Sequence, residues 1–294
     1  MSQVVTISNN TASASVDSKG AQLTSFALDG REYLWQADPH WWGKHAPVLF
    51  PIVGTLRDGR AASAQGEVTL GRHGFARDME HAVVSRDDAS VTFEITDTPE
   101  TRAVYPYAFR LNMTYALTGP ASLTQTFRVE NTGDVPLPFS VGGHPAFNVP
   151  APGGDGEAWE DYVLEFAEPW TYESPTIADG GLLTYDVMNP IVDAADCMPL
   201  TREAFRFDTI MLEGVPQSTV TLRGAKSGHG VRLDFEGFPY LGVWAGDGAP
   251  FVALEPWTGH ATLTSEDDIF EHKRGITLLE PGAVDERSFT VTLL

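Results

Sequence analysis

Apolar and polar residues alternate with a period of two along much of this chain. Val91, Phe93 and Ile95 share one side of residues 91–96, and Leu111, Met113, Tyr115 and Leu117 share one side of residues 111–117. Leu123, Phe127 and Val129 repeat the pattern, as do Val231, Leu233 and Phe235. Such alternation turns one face of a strand to a core and the other to water, so these segments predict half-buried strands of antiparallel sheets. Gly119-Pro120 separates two of the runs as a hairpin turn would, and Asn131-Thr132-Gly133-Asp134 and Asp29-Gly30 mark further turns. Helical periodicity is scarce. Residues 262–272 are the best candidate, with Thr264 or Ser265 as the cap and acidic residues in the first turn. Many strands with frequent turns predict an all-β fold, a large sandwich or a barrel. The Gly/Pro-rich stretch 150–160 reads as a long surface loop, and residues 174–203, with several Pro, Asp and Gly, read as irregular.

Composition narrows this picture. The chain has 294 residues and no internal repeat or low-complexity tract, and residues 1–294 are expected to form one β domain. Its 40 acidic and 19 basic residues give a formal charge of -21. That surface argues against a nucleic-acid partner and suits a neutral ligand better than a polyanion, although solubility alone accounts for it. The single cysteine, Cys197, makes no intrachain disulfide, which fits a reducing compartment. No basic segment followed by a long apolar stretch opens the chain, and no run of about 18 apolar residues occurs. A cytoplasmic protein with no membrane partner is the expectation.

Four segments hold polar residues that a plain strand does not need. Phe50–Gly59 is an apolar run broken by Pro51 and Gly54, with Arg57 beyond it. An arginine at the lip of a sheet can fork onto two ligand oxygens; an ion pair with Asp58 is the simpler local reading. His73 stands beside Gly74, where backbone and ligand can approach closely, yet read alone a turn histidine with no role is the favoured reading. In Gly142-Gly143-His144-Pro145 the proline restricts the residue before it. A stiffened imidazole suits proton transfer near neutral pH, and a structural histidine at a β-bulge fits the local sequence as well. Glu255 follows four apolar residues and precedes Pro256, so partial burial and a raised pKa are expected. Trp244 and Trp257 offer flat faces for sugar C–H groups, or simply fill a core. No paired-histidine metal motif, cysteine cluster, phosphate loop or nucleophile elbow occurs. No metal and no cofactor are expected.

Taken in order, Ala21–Phe26, Glu32–Gln36, Ala46–Gly54, His73–Arg77, Gly142–Asn148 and Leu254–Trp257 resemble the aldose 1-epimerase (galactose mutarotase-like) family, most closely its bacterial LacX-like branch. The likeness runs through most of the chain. It implies a large antiparallel β-sandwich with a sugar in an open cleft. It also implies roles: His144 as general acid on the ring oxygen, Glu255 as general base on the anomeric hydroxyl, His73 holding the sugar during ring opening, and Arg57 and Asp208 binding hydroxyls. In the productive state Glu255 would be ionised and His144 protonated. The expected partner is a small-molecule aldose, and the expected state a monomer or weak homodimer. Three rivals remain: a hexose-6-phosphate 1-epimerase, for which Arg57, Arg72 and Arg77 are the available cations; a non-catalytic sugar sensor on the same scaffold; and a glycoside hydrolase pairing Glu255 with Asp208, which leaves His144 without a role.

Overall fold

The computed structural model describes residues 2–154 and 156–294. Antiparallel sheets dominate it. The largest has nine strands, in the order Leu183–Pro199, Tyr162–Ile177, Thr219–Gly224, Gly230–Asp234, Val284–Leu293, Ser122–Glu130, Arg110–Gly119, Ser90–Thr96 and Ala82–Arg86. The four alternating runs of the sequence all lie in it. In Ser122–Glu130 every second residue is buried, because that face covers the core while Thr and Arg side chains meet solvent. Gly119 and Pro120 make the expected turn onto this strand, and Asp29 and Gly30, with φ of 49° and 75°, make the two-residue hairpin that positive φ permits.

A second sheet runs Ile210–Glu213, Tyr240–Trp244, Phe251–Trp257, Gly142–Gly143 and Val48–Leu49, with Ala146–Asn148 also paired to Phe251–Trp257. Every residue of Phe251–Trp257 is buried. Alternation nevertheless sorts its two faces. Val252 and Leu254 join the main core, which also takes Leu111, Phe127 and Phe289 from the nine-stranded sheet and Val5, Val16 and Phe26 from a four-stranded sheet over residues 4–32. Phe251, Ala253, Glu255 and Trp257 point the other way, to smaller clusters around a cleft. The sheets meet closely behind that cleft: a Cβ on Gly143 would stand 2.6 Å from the Phe289 ring. The fold is the expected all-β antiparallel sandwich.

Two expectations fail. Residues 262–272 form turns and isolated bridges, and only Phe270–His272 is helical, as a single 3-10 turn. Asp267 and Glu266 turn their carboxylates onto local backbone N–H groups, and Asp268 takes φ 62°, which ends any helix. Among the described residues the α-helix is instead Pro99–Val104, with Thr98 and Thr101 forming a reciprocal cap. The segment 174–203 is not irregular: Tyr162–Ile177 and Leu183–Pro199 form a long hairpin. Its register shifts several times, and Ala194 takes φ 48°, so no period-two pattern survives in the sequence. The stretch 150–160 is a loop until Trp159, which is buried in a 3-10 turn; Asp155 lies outside the described residues.

Candidate active site

The cleft, of about 220 Å³, opens on the face of the six-stranded sheet turned away from the main core. His144, Glu255, His73, Asp208, Trp244 and Trp257 line it. Residues from positions 73 to 257 of the chain are thus brought to one place by the fold.

Glu255 sits mid-strand directly opposite Gly242. Glycine is required there, since a Cβ would come within 2.4 Å of the Trp257 ring. The carboxylate is 1% exposed. Burial holds its pKa well above the ordinary carboxylate value; the Trp257 indole N–H opposes this and Asp208 adds to it. Oε1 lies 3.3 Å from His144 Nε2, and Oε2 has no hydrogen-bond partner among the described residues.

His144 follows the short strand Gly142–Gly143, whose glycines let Trp257 and Phe289 pack against bare backbone. Its ring stacks on Trp42 at 4.8 Å and meets the edge of Trp244 at 5.8 Å. Burial lowers its pKa to about 3, with further lowering from Arg77 and Lys44 against a backbone hydrogen bond that raises it. Burial therefore drives both members of the pair toward their neutral forms. The ionised Glu255 and protonated His144 expected of the productive state differ from this neutral pair by the transfer of one proton between them.

His73 takes φ 67° ahead of Gly74, whose Cβ would fall 2.2 Å from the Phe50 carbonyl oxygen. Its Nδ1 accepts the Gly54 N–H at 3.0 Å, which leaves Nε2 to carry the proton. Burial and then the neighbouring His144, Arg77, Arg72 and Lys44 push its pKa well below 6.5. It is a neutral donor, edge-on to His144 at 5.9 Å between ring centroids. Asp208, at φ 72°, enters from the turn before Ile210–Glu213.

Arg57 is not brought to the cleft, and it does not pair with Asp58. Its guanidinium holds Asp268 at 2.9 Å and donates to the carbonyls of Leu263 and Thr264. It clamps the turn over residues 263–268. The nearby cleft position falls to Thr55, two residues earlier.

Sequence reasoning missed Trp42, Lys44 and His260. The first two lie in a turn where Trp41 and Trp42 both donate backbone N–H to the Asp38 carbonyl; adjacent tryptophans outside any alternating run were the available signal. His260 is 1% exposed, and its Nδ1 is tied to the Ala261 carbonyl at 2.8 Å. Its Nε2 has no hydrogen-bond partner among the described residues and lies at the cleft wall. Ile177, Gly181 and Leu183, from the turn of the long hairpin, close another side. Among the described residues no group of three or more His, Cys, Asp or Glu is placed to hold a metal ion, and no helix is long and apolar enough to cross a membrane.

A family model described as aldose 1-epimerase matches residues 3–288. The plasmid-borne Protein LacX of Lactococcus lactis subsp. lactis is 39% identical over 284 residues, 94% of each chain. Among solved structures, a galactose mutarotase related enzyme from Lactobacillus acidophilus aligns at TM-score 0.93 and 32% identity, over 99% of this chain and 97% of that one. A galactose mutarotase-like protein from Lactobacillus casei aligns at TM-score 0.90 and 29% identity, over 99% and 100%.

Proposed function

Since the chain belongs to the aldose 1-epimerase family, a family of sugar-anomer interconversion, we propose that it is itself a working mutarotase for an aldohexose, with His144 and Glu255 as the acid–base couple. The observation that carries this reading is the 3.3 Å approach of His144 Nε2 to Glu255 Oε1 at the floor of a cleft walled by Trp42, Trp244 and Trp257. A sensor needs the aromatic walls but has no use for two buried groups with pKa values displaced in opposite directions.

The chemistry needs one proton moved at each of two oxygens. Glu255 takes the proton of the anomeric hydroxyl as the bond from C1 to the ring oxygen breaks and C1 becomes a carbonyl. His144 delivers its proton to the ring oxygen, which leaves as the C5 hydroxyl. The aldehyde turns about C1–C2, and the C5 hydroxyl adds to its other face with the two residues in exchanged roles. The couple carries one proton at rest and one at the end, so no net proton is taken from solvent. The neutral resting pair and the ionic pair contain that same proton and differ only in where it lies. His73 Nε2–H is placed to donate to a sugar oxygen beside His144. His260 Nε2, with its tautomer fixed by Ala261, accepts from a hydroxyl. A cytoplasmic site of action fits the lone thiol of Cys197.

Magnetisation-exchange NMR between the α and β signals of glucose and galactose tests the reading. Wild type should accelerate exchange. Glu255→Gln and His144→Asn should each keep the fold and lose about 10²–10⁴-fold in rate, the usual contribution of a general acid or base. Full activity in either variant removes that residue from the mechanism.

A further inference from the structure

The cleft is polarised. Lys44, Arg72 and Arg77 line it together with His73 and His144, while Asp208 lies toward Glu255. Geometry ties the cations to the histidine end. Arg72 precedes His73 directly, Arg77 Nη2 donates to the Arg72 carbonyl at 2.7 Å, and Lys44 follows the Trp42 that stacks on His144. Arg72 Nη2 reaches the cleft wall at Thr55 and Gly181, 2.9 Å from where a Gly181 Cβ would stand.

These cations are poorly neutralised. Among the described residues Lys44 and Arg72 have no carboxylate within 4.0 Å, and Arg77 has only Asp78 at 3.8 Å. Arg77 Nε is buried with no hydrogen-bond partner. Lys44 and Arg77 also repel one another. A chain with 40 acidic residues and 19 basic ones has left three cations facing one cavity, an arrangement that a bound anion would relieve.

Position selects which part of a sugar would carry that anion. This step rests on the reading that His144 serves the ring oxygen and Glu255 the anomeric oxygen. C1 and C5 flank the ring oxygen. With C1 held at Glu255, C5 and its C6 substituent lie on the far side of His144, where the cations are. We propose that the preferred substrate is an aldohexose bearing a negative charge at C6, a carboxylate or a phosphate, received by Lys44, Arg72 and Arg77. The net charge of the chain does not oppose this at short range, because fields are screened over about 8 Å at physiological salt.

The test measures kcat/KM by magnetisation exchange for glucose, glucuronate and glucose 6-phosphate, and for the galactose counterparts, with wild type and Arg72→Gln. Arg72 is exposed and makes no ion pair among the described residues, so this variant should fold. A charged sugar is expected to exceed its neutral parent by about tenfold or more, roughly the 1.4 kcal/mol of one charge-assisted contact. That ratio should fall several-fold in Arg72→Gln and on raising the salt. The better of uronate and phosphate identifies the anion. Equal values for neutral and charged sugars, with exchange still catalysed, overturn the inference and leave the mutarotase reading intact. If no sugar is accelerated, that reading fails instead, and binding decides the inference: tighter binding of the charged sugars supports it, and no preference overturns it.

Discussion

The two large sheets use burial differently. In the nine-stranded sheet, strands such as Ser122–Glu130 bury alternate residues and leave Thr, Arg and Glu to solvent. In the six-stranded sheet, Phe251–Trp257 is buried throughout, with one face in the core and the other walling the cleft. The first sheet supplies bulk and keeps its polar groups wet. The second places a carboxylate and an imidazole where water cannot solvate their charged forms, which displaces both pKa values. The bulk of the core and the proposed acid–base pair are thus lodged largely on separate sheets that touch behind the site at Gly143 and Phe289.

A core truncation on the nine-stranded sheet should separate the two properties. Phe93 is fully buried there. Phe93→Ala should lower unfolding free energy by about 3–5 kcal/mol, measured by urea titration, while the exchange rate per folded molecule stays at the wild-type level. A matching loss of rate would show that the sheets are not independent.

Acid should expose a second contrast. His81, beside the outer strand Ala82–Arg86, and His260, at the cleft, are both buried, and burial lowers each pKa to about 4. Above pH 6.5 both are neutral whether the chain is folded or unfolded, and stability is complete. As pH falls from 6.5 toward 4, the unfolded chain takes up these protons first and stability is lost, by about 3 kcal/mol per histidine. Thermal melts of His81→Gln across that window should show roughly one histidine's share less pH dependence. An unchanged pH slope would mean that His81 does not titrate in this way.

The smallest effect belongs to the wet face. Thr124 Oγ1 meets Thr290 Oγ1 at 2.8 Å across two strands of the nine-stranded sheet. Thr124→Ala should cost about 0.2–1 kcal/mol in the same urea titration and leave catalysis alone.

This division also governs what the sequence discloses. Val91, Phe93 and Ile95 announce a half-buried strand because their neighbours are polar. Phe251–Leu254 announces only burial, and Glu255 stands out because a carboxylate ends that apolar run. His73, His144, Glu255 and Trp244, singled out from the residues, and Asp208, which only the family resemblance picked out, are gathered at one cleft. Arg57 was misplaced because its partner, Asp268, lies 211 residues away, and no local pattern marks such a pair. The hairpin over residues 162–199 stayed hidden because its shifting register erases the period. Trp42, Lys44 and His260 come from turns, where the position of a side chain is set by tertiary packing and leaves no periodic trace.

The central claim is that His144 and Glu255 act as one proton-sharing unit. The most direct measurement is the anomer-exchange rate of the double variant His144→Asn/Glu255→Gln beside the two single variants. Residues that act as a unit give grossly non-additive losses. The double variant is therefore expected to be no slower than the slower single variant by more than a few-fold. A double variant whose loss equals the product of the two single losses would contradict the account, since each residue would then be working without the other.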